Sequence, residues 1–176
     1  MRACDGGTDG DAAAGASSIV PMFPLPGVFL FPGTLMPLHI FEPRYRTMID
    51  DSLDGPGRIV MATVLDAQSG EADGAPTVHH IAGLGEIYRH ERLPDGRFLI
   101  LLAGLMRVMI REVPSDKPYR RVEAVPLREQ PCANERESAL RCTLMRAVLA
   151  RAKEPLELPP DMPLGQLVDL LLLRLE

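Results

Sequence analysis

The sequence predicts an α+β fold, a small β-barrel of about six strands with one early helix, followed by a C-terminal helical segment. Three observations carry that prediction. Prolines at 21, 24, 26, 32, 37 and 43 cut the apolar stretch from 21 to 45 into pieces whose φ angles are too constrained for helix. From 58 to 127, apolar runs of strand length alternate with Gly, Pro and Asp turns. Past Pro131 the apolar period lengthens to that of a helix.

Residues 1–18 are small and acidic with no apolar h-region, so they read as a disordered lead and not as a signal peptide. The proline-punctuated stretch that follows forms short bent strands and turns. Glu42-Pro43 starts a helix, because proline at the first helical position loses no intrahelical hydrogen bond. Tyr45, Met48, Ile49 and Leu53 make its apolar stripe, and Asp54-Gly55-Pro56-Gly57 closes it. Arg58–Leu65 is a near-continuous apolar run, the pattern of a strand buried on both faces. Gln68–Pro76 is a polar loop, and Val78–Arg92 a second strand region. Pro94-Asp95-Gly96 turns the chain into Phe98–Leu102, making a hairpin. Gly104 marks a bulge or bend, after which Met106, Val108 and Ile110 alternate with Arg107, Met109 and Arg111 in a further strand. Tyr119–Leu127 supplies the last. The barrel is thus assigned to residues 19–130.

Residues 131–176 form a helical subdomain. Asn134 with Glu137 has the capping-box spacing, and Leu140, Leu144, Ala147, Val148 and Arg151 follow at helical intervals. Asp161-Met162-Pro163 opens a second helix with Leu164, Leu167, Val168, Leu171 and Leu175 on one face and Leu170 and Leu173 well away from it. Such a helix needs cover on more than one side, from a partner chain or from later helix. The ending Arg174-Leu175-Glu176, with no cap or polar tail, reads as truncation, and self-association through this helix is expected.

Phe23-Pro24-Leu25, Phe31-Pro32-Gly33 and the block Pro37-Leu38-His39-Ile40-Phe41-Glu42-Pro43-Arg44-Tyr45 together resemble the signature of the Lon protease N-terminal, substrate-binding domain family, which also includes stand-alone bacterial proteins. Gly83-Leu84-Gly85-Glu86-Ile87, Leu93-Pro94-Asp95-Gly96-Arg97, Gly104 with Arg107, and Pro118-Tyr119 agree in order and spacing. The resemblance spans residues 19 to 176. It implies a PUA-like barrel and a module that recognises protein or peptide segments.

Composition excludes several other classes. A net charge of −5 and 5% aromatics offer neither a basic groove nor stacking rings for nucleic acid. Only Lys117 and Lys153 are lysines, and neither sits in a phosphate-binding loop or beside a nucleophilic serine. No Gly-x-Ser-x-Gly elbow occurs. Cys4, Cys132 and Cys142 lack metal-ligand spacing, and the adjacent His79 and His80 point to opposite faces of an extended strand, so neither they nor His90 form a metal site by spacing. No catalytic residue, metal or cofactor is assigned, and the chain is expected neither to hydrolyse ATP nor to cleave protein. No apolar run reaches membrane-span length.

The candidate binding residues are His39, Glu42, Arg44 and Tyr45. His39 has no neighbouring nucleophile and reads as a hydrogen-bonded structural residue. Arg44 pairs with Glu42 or Asp50 on the structural reading, and Tyr45 belongs to the helix stripe. On the functional reading, an arginine and an aromatic at a helix start beside a proline-rich strand present a peptide-binding edge. Packing is the favoured role. The function expected is non-catalytic recognition of unfolded or hydrophobic protein segments in the cytoplasm, alone or beside a protease or chaperone, with RNA binding through a PUA-like fold as the alternative.

Overall fold

The computed structural model describes residues 17–65, 76–128, 134–151, 158–159 and 161–173. Among the described residues nine elements occur, in the order β1 (Ser18–Pro26), β2 (Leu35–Ile40), α1 (Pro43–Leu53), β3 (Arg58–Val64), β4 (Ile81–Arg92), β5 (Phe98–Val113), β6 (Arg121–Pro126), α2 (Asn134–Arg151) and α3 (Leu164–Leu172). The six strands form one mixed sheet in the order β2-β5-β4-β3-β1-β6, and β5 also pairs with β6. The pairings among β1, β3, β4, β5 and β6 therefore run in a closed circuit, with β2 attached outside it along β5. Ser18, read from sequence as the end of the lead, already pairs with Ala124 of β6. Residues 1–16 of that lead lie outside the described residues.

Two clusters of buried side chains lie on opposite faces of this circuit. Its interior takes two alternate residues from each of the five strands: Val20 and Met22, Val60 and Ala62, Ala82 and Leu84, Val108 and Ile110, Val122 and Ala124. The small size of most of them suits a narrow interior. Neighbouring positions, among them Phe23, Ile59, Met61 and Phe98, face outward and are covered by Tyr45, Met48 and Ile49 of α1. β3 is thus buried on both faces, as its unbroken apolar run predicts. Burying Met48 and Ile49 completely stabilises by roughly 1.5–3 kcal/mol each.

Phe98–Leu102 and Met106–Arg111, read from sequence as separate strands around Gly104, are one strand of 16 residues. The irregularity at Gly104 is a bulge. Gly85 pairs with Gly104 and Leu84 with Met106, so Leu105 has no partner. One extra residue moves every later side chain to the other face. Phe98, Ile100 and Leu102 consequently pack under α1, whereas Val108 and Ile110 fill the interior. The final strand is shorter than Tyr119–Leu127; Tyr119 stays buried in the preceding loop.

The segment from Gly27 to Thr34 lies directly on β4 and β5, at their glycines. A Cβ at Gly83 would overlap the Leu30 carbonyl oxygen, and one at Gly104 the Phe31 carbonyl oxygen. At Gly85 it would come within 2.7 Å of Leu30 Cδ2. Gly33 and Thr34 continue the contact: the Gly33 N–H donates to the Gly104 carbonyl and the Gly104 N–H to the Thr34 carbonyl, each at 2.8 Å. Leu30 is buried, and Thr63 Oγ1 donates to the Val28 carbonyl at 2.5 Å.

The C-terminal helices differ from the sequence reading in which residues they bury. Leu167 and Asp169 of α3 are buried, on nearly opposite sides of the helix, and Val168 is exposed. Asp169 is buried because Arg107 of β5 donates to its carboxylate, and Arg107 in turn lies 5.7 Å from the Phe31 ring. An apolar count alone does not see a buried charge pair. Leu173 is exposed, and Leu170 is half-buried. Leu175 and the Asn134 side chain lie outside the described residues; Glu137 accepts a hydrogen bond from Arg141 at 2.9 Å.

Replacing Gly83 by alanine is expected to cost about 3 kcal/mol, because backbone must move out of the way. Gly27→Ala, at φ +65° with nothing within 4 Å of the new Cβ, costs about 1 kcal/mol from the left-handed conformation alone. Urea melts of the two variants measure the ratio, and equal losses would count against close packing as the reason for Gly83.

Tyr119 ties the β5–β6 loop to α1 by donating to Asp51 Oδ2 at 2.7 Å, beside Lys117 Nζ at 3.0 Å from the same oxygen. The hydrogen bonds from Tyr119 and Lys117 hold the Asp51 carboxyl below its ordinary range. Burial, then Asp51, pushes the Tyr119 phenol up to about 12. The Asp51 contribution is complete above the ordinary carboxylate value near 3.8 and is lost as pH falls through the depressed one. The Tyr119 contribution is complete below 10.0 and is lost as pH rises toward about 12. Tyr119→Phe is expected to cost about 1–3 kcal/mol at neutral pH and to flatten the alkaline loss of thermal stability, with the acid limb reduced. An unchanged alkaline limb in melts recorded from pH 9 to 12 would show that the phenol is not its source.

Candidate functional site

An open cleft of about 860 Å³ lies between the end of β1, the start of α1 and the β5–β6 loop. Its volume is within the range of sites that hold small ligands or short peptide segments. β1 makes the cleft by changing partners. Ser18–Pro21 pair antiparallel with β6, whereas Met22–Pro26 pair parallel with β3. After Met22, whose N–H donates to the Arg120 carbonyl at 2.8 Å, the β6 side of β1 is therefore open. Pro24, Leu25 and Pro26 form one wall, and Pro114, Pro118 and Tyr119 the facing one.

Three of the four residues predicted from sequence meet at this cleft. Glu42, Arg44 and Tyr45 line it, and His39 does not. Glu42 caps α1 through its backbone only, since its carbonyl accepts the N–H groups of Tyr45 and Arg46 at 3.1 and 3.0 Å. Its carboxylate is instead held by Arg44, with Nε donating at 2.9 Å. The guanidinium carbon of Arg44 lies 4.6 Å from the Tyr45 ring centroid, a cation–π contact at the cleft rim. Tyr45 itself is 6% exposed and packs at 4.4 Å against Phe23, so most of its surface serves the core. Burial raises its phenol above the ordinary value, with Arg44 partly opposing. Asp50, the other partner considered for Arg44, pairs with Arg92.

His39 is corrected from structural residue to surface residue. It is exposed on β2, with its ring 6.0 Å from Phe41, and makes no side-chain hydrogen bond among the described residues. The reason is the alternation of an outer strand, in which His39 falls on the solvent side and Ile40 on the core side.

Charge at the cleft is balanced. Arg44 pairs with Glu42, Arg120 with Glu112, and Lys117 with Asp51. Arg120 also donates to the Pro76 carbonyl at 2.8 Å, which fixes the cleft's outer end. Sequence reasoning missed the wall from Pro114 to Arg120, because long-range folding alone brings that loop to β1. The pair Pro118-Tyr119 was a signal, but its spacing gives no position.

A second cleft of about 390 Å³ lies on the other side of Tyr119, against the open edge of Ser18–Pro21 and the end of α1. Lys117 and Tyr119 line both clefts. Among the described residues, no group of three His, Cys, Asp or Glu side chains is placed to hold a metal ion. Cys142 is exposed on α2. No helix among the described residues is long and apolar enough to cross a membrane.

Residues 19–171 match the family model described as the ATP-dependent protease La (LON) substrate-binding domain. The chain is 28% identical over 142 residues to the Lon protease of Syntrophomonas wolfei, covering 81% of this chain and 17% of that protein. It is 28% identical over 137 residues to the Lon protease of Trichlorobacter lovleyi, covering 77% and 16%. The chain thus spans about a sixth of the Lon proteases it matches. Among solved structures it is similar to the N-terminal domain of the Mycobacterium avium complex Lon protease, with a TM-score of 0.59 at 18% identity over 76% of this chain and 67% of that one. It is also similar to a Lon N-terminal domain protein from Xanthomonas campestris, with a TM-score of 0.53 at 24% identity over 75% and 74%. These two likenesses concern the fold. With the family model covering nearly all of the described chain, the protein belongs to the Lon substrate-binding domain family.

Proposed function

We propose that this protein is a non-catalytic recognition module that binds unfolded, apolar protein segments in the cleft between β1, α1 and the β5–β6 loop. The observation that carries the reading is the match of residues 19–171 to the substrate-binding domain of Lon. The cleft supports it. Prolines, tyrosines and aliphatic side chains make up most of its lining, and each of its cations has a carboxylate partner, so binding draws on apolar contact and backbone hydrogen bonds more than on charge. Within this reading the closed strand circuit is a PUA-like barrel, the helical segment from 131 onward is a separate subdomain, and the module works in the cytoplasm, alone or beside a protease or chaperone.

Ordering an unfolded segment costs several kcal/mol, so affinity is expected in the micromolar range or weaker. Titrating the protein with a destabilised model protein, its folded counterpart and a short RNA tests the reading. Preference for the destabilised form, with little change between low and physiological salt, is expected. Binding of the RNA alone, falling steeply with salt, would overturn it in favour of a nucleic-acid module.

The helical subdomain is proposed to self-associate through α3, motivated by the exposed Val168, Leu172 and Leu173. Sedimentation of the wild type at high concentration should show a species larger than a monomer, and Leu173→Glu should shift it to monomer. A clean monomer for both excludes this surface.

A further inference from the structure

The strand edge in the cleft has a hydrogen-bonding polarity set by its prolines. Backbone N–H and C=O groups of one residue point to the same side of a strand, and the side alternates along it. Met22 donates toward Arg120, so the even-numbered residues of β1 face the β6 side and the odd-numbered ones, Phe23 and Leu25, face β3. Pro24 and Pro26 therefore present their carbonyl oxygens to the cleft and have no N–H to present. Neither oxygen accepts a hydrogen bond from another described residue along that edge, because the β6 ladder ends at Pro21 and the Met22 bond. The edge offers acceptors only. Two residues of extended strand separate the oxygens by about 6.6 Å.

We infer that this edge selects a peptide by its backbone donors: an extended segment lies along β1 and donates two N–H groups, two residues apart, to the Pro24 and Pro26 carbonyls. The inference rests on the reading of this cleft as the peptide site. Three consequences fix the ligand's chemistry. Proline is excluded at the two donating positions of the ligand and tolerated at the position between them, whose amide faces away. The missing donors prevent a full reciprocal ladder, which keeps binding weak and stops β1 from templating edge-to-edge aggregation. Apolar side chains of the ligand contact Pro114, Pro118 and Tyr119 on the opposite wall.

The experiment is an N-methyl scan of a labelled, lysine-tagged valine–alanine heptapeptide against the wild-type protein, read by fluorescence anisotropy. Methylation at two positions spaced by two is expected to weaken binding about tenfold each, corresponding to one lost hydrogen bond with a steric block, and methylation between them less than twofold. Proline substitution should reproduce the same pattern. If the parent peptide binds and is displaced by the destabilised protein, yet all methylations act alike or none acts, the donor inference is wrong and the binding site stands. If neither the parent peptide nor the destabilised protein binds, the site reading falls and the inference with it.

Discussion

Backbone packed on backbone at Gly83 and Gly104, with the Leu30 side chain set against Gly85, is the contact on which the rest of the structure depends. The Gly27–Thr34 segment crosses the sheet where these glycines leave no side chain in the way, and Leu30 is thereby seated among residues of the outer core. That crossing delivers the chain from β1, inside the closed circuit of strands, to β2, outside it along β5. It also sets where Phe31 sits, hence the position of Arg107 and, through Asp169, of α3. The Gly83–Ile87 block, Gly104 and Phe31-Pro32-Gly33, which look independent in the sequence, thus meet at one physical surface.

The bulge at Leu105 solves a second problem. One strand must supply side chains to the interior of the circuit at one end and to the layer under α1 at the other. An uninterrupted alternation would send all of them to one face, and an extra residue reverses the assignment midway. The gap at β1 has a comparable origin. A strand that pairs antiparallel with one neighbour and parallel with another over successive halves leaves an open side in each half, and the two clefts lie there.

Local chemistry made much of this legible in the sequence. α1 could be read because Pro43, the Tyr45, Met48 and Ile49 stripe and the Asp54–Gly57 stop all act within a few residues. The β4–β5 hairpin could be read because Pro94 and Gly96 dictate the turn, and Gly96 adopts φ +80°. The continuity of β5 could not, since a bulge and a break share the same glycine signal until the partner strand is known. Glu42 was one of the two partners read for Arg44, and local spacing alone did not choose it over Asp50; the cleft that Arg44 and Glu42 border depends on a loop about seventy residues away. Asp169 was passed over because a charge among leucines looks solvent-facing, and its pairing with Arg107 on another element is not visible in local sequence.

The attachment of β1 has a dynamic consequence. Four residue pairs with β6, one further hydrogen bond at Met22 and the Tyr119–Asp51 clasp hold the wall that separates the two clefts. Opening free energies vary across a fold, and the lowest belong to segments with few hydrogen bonds to break. This seam is short, whereas the β4–β5 ladder is the longest in the sheet. By that measure the β1–β6 seam is among the first parts of the sheet to open, and because Tyr119 lines both clefts, its clasp with Asp51 bears on the shape of the two together.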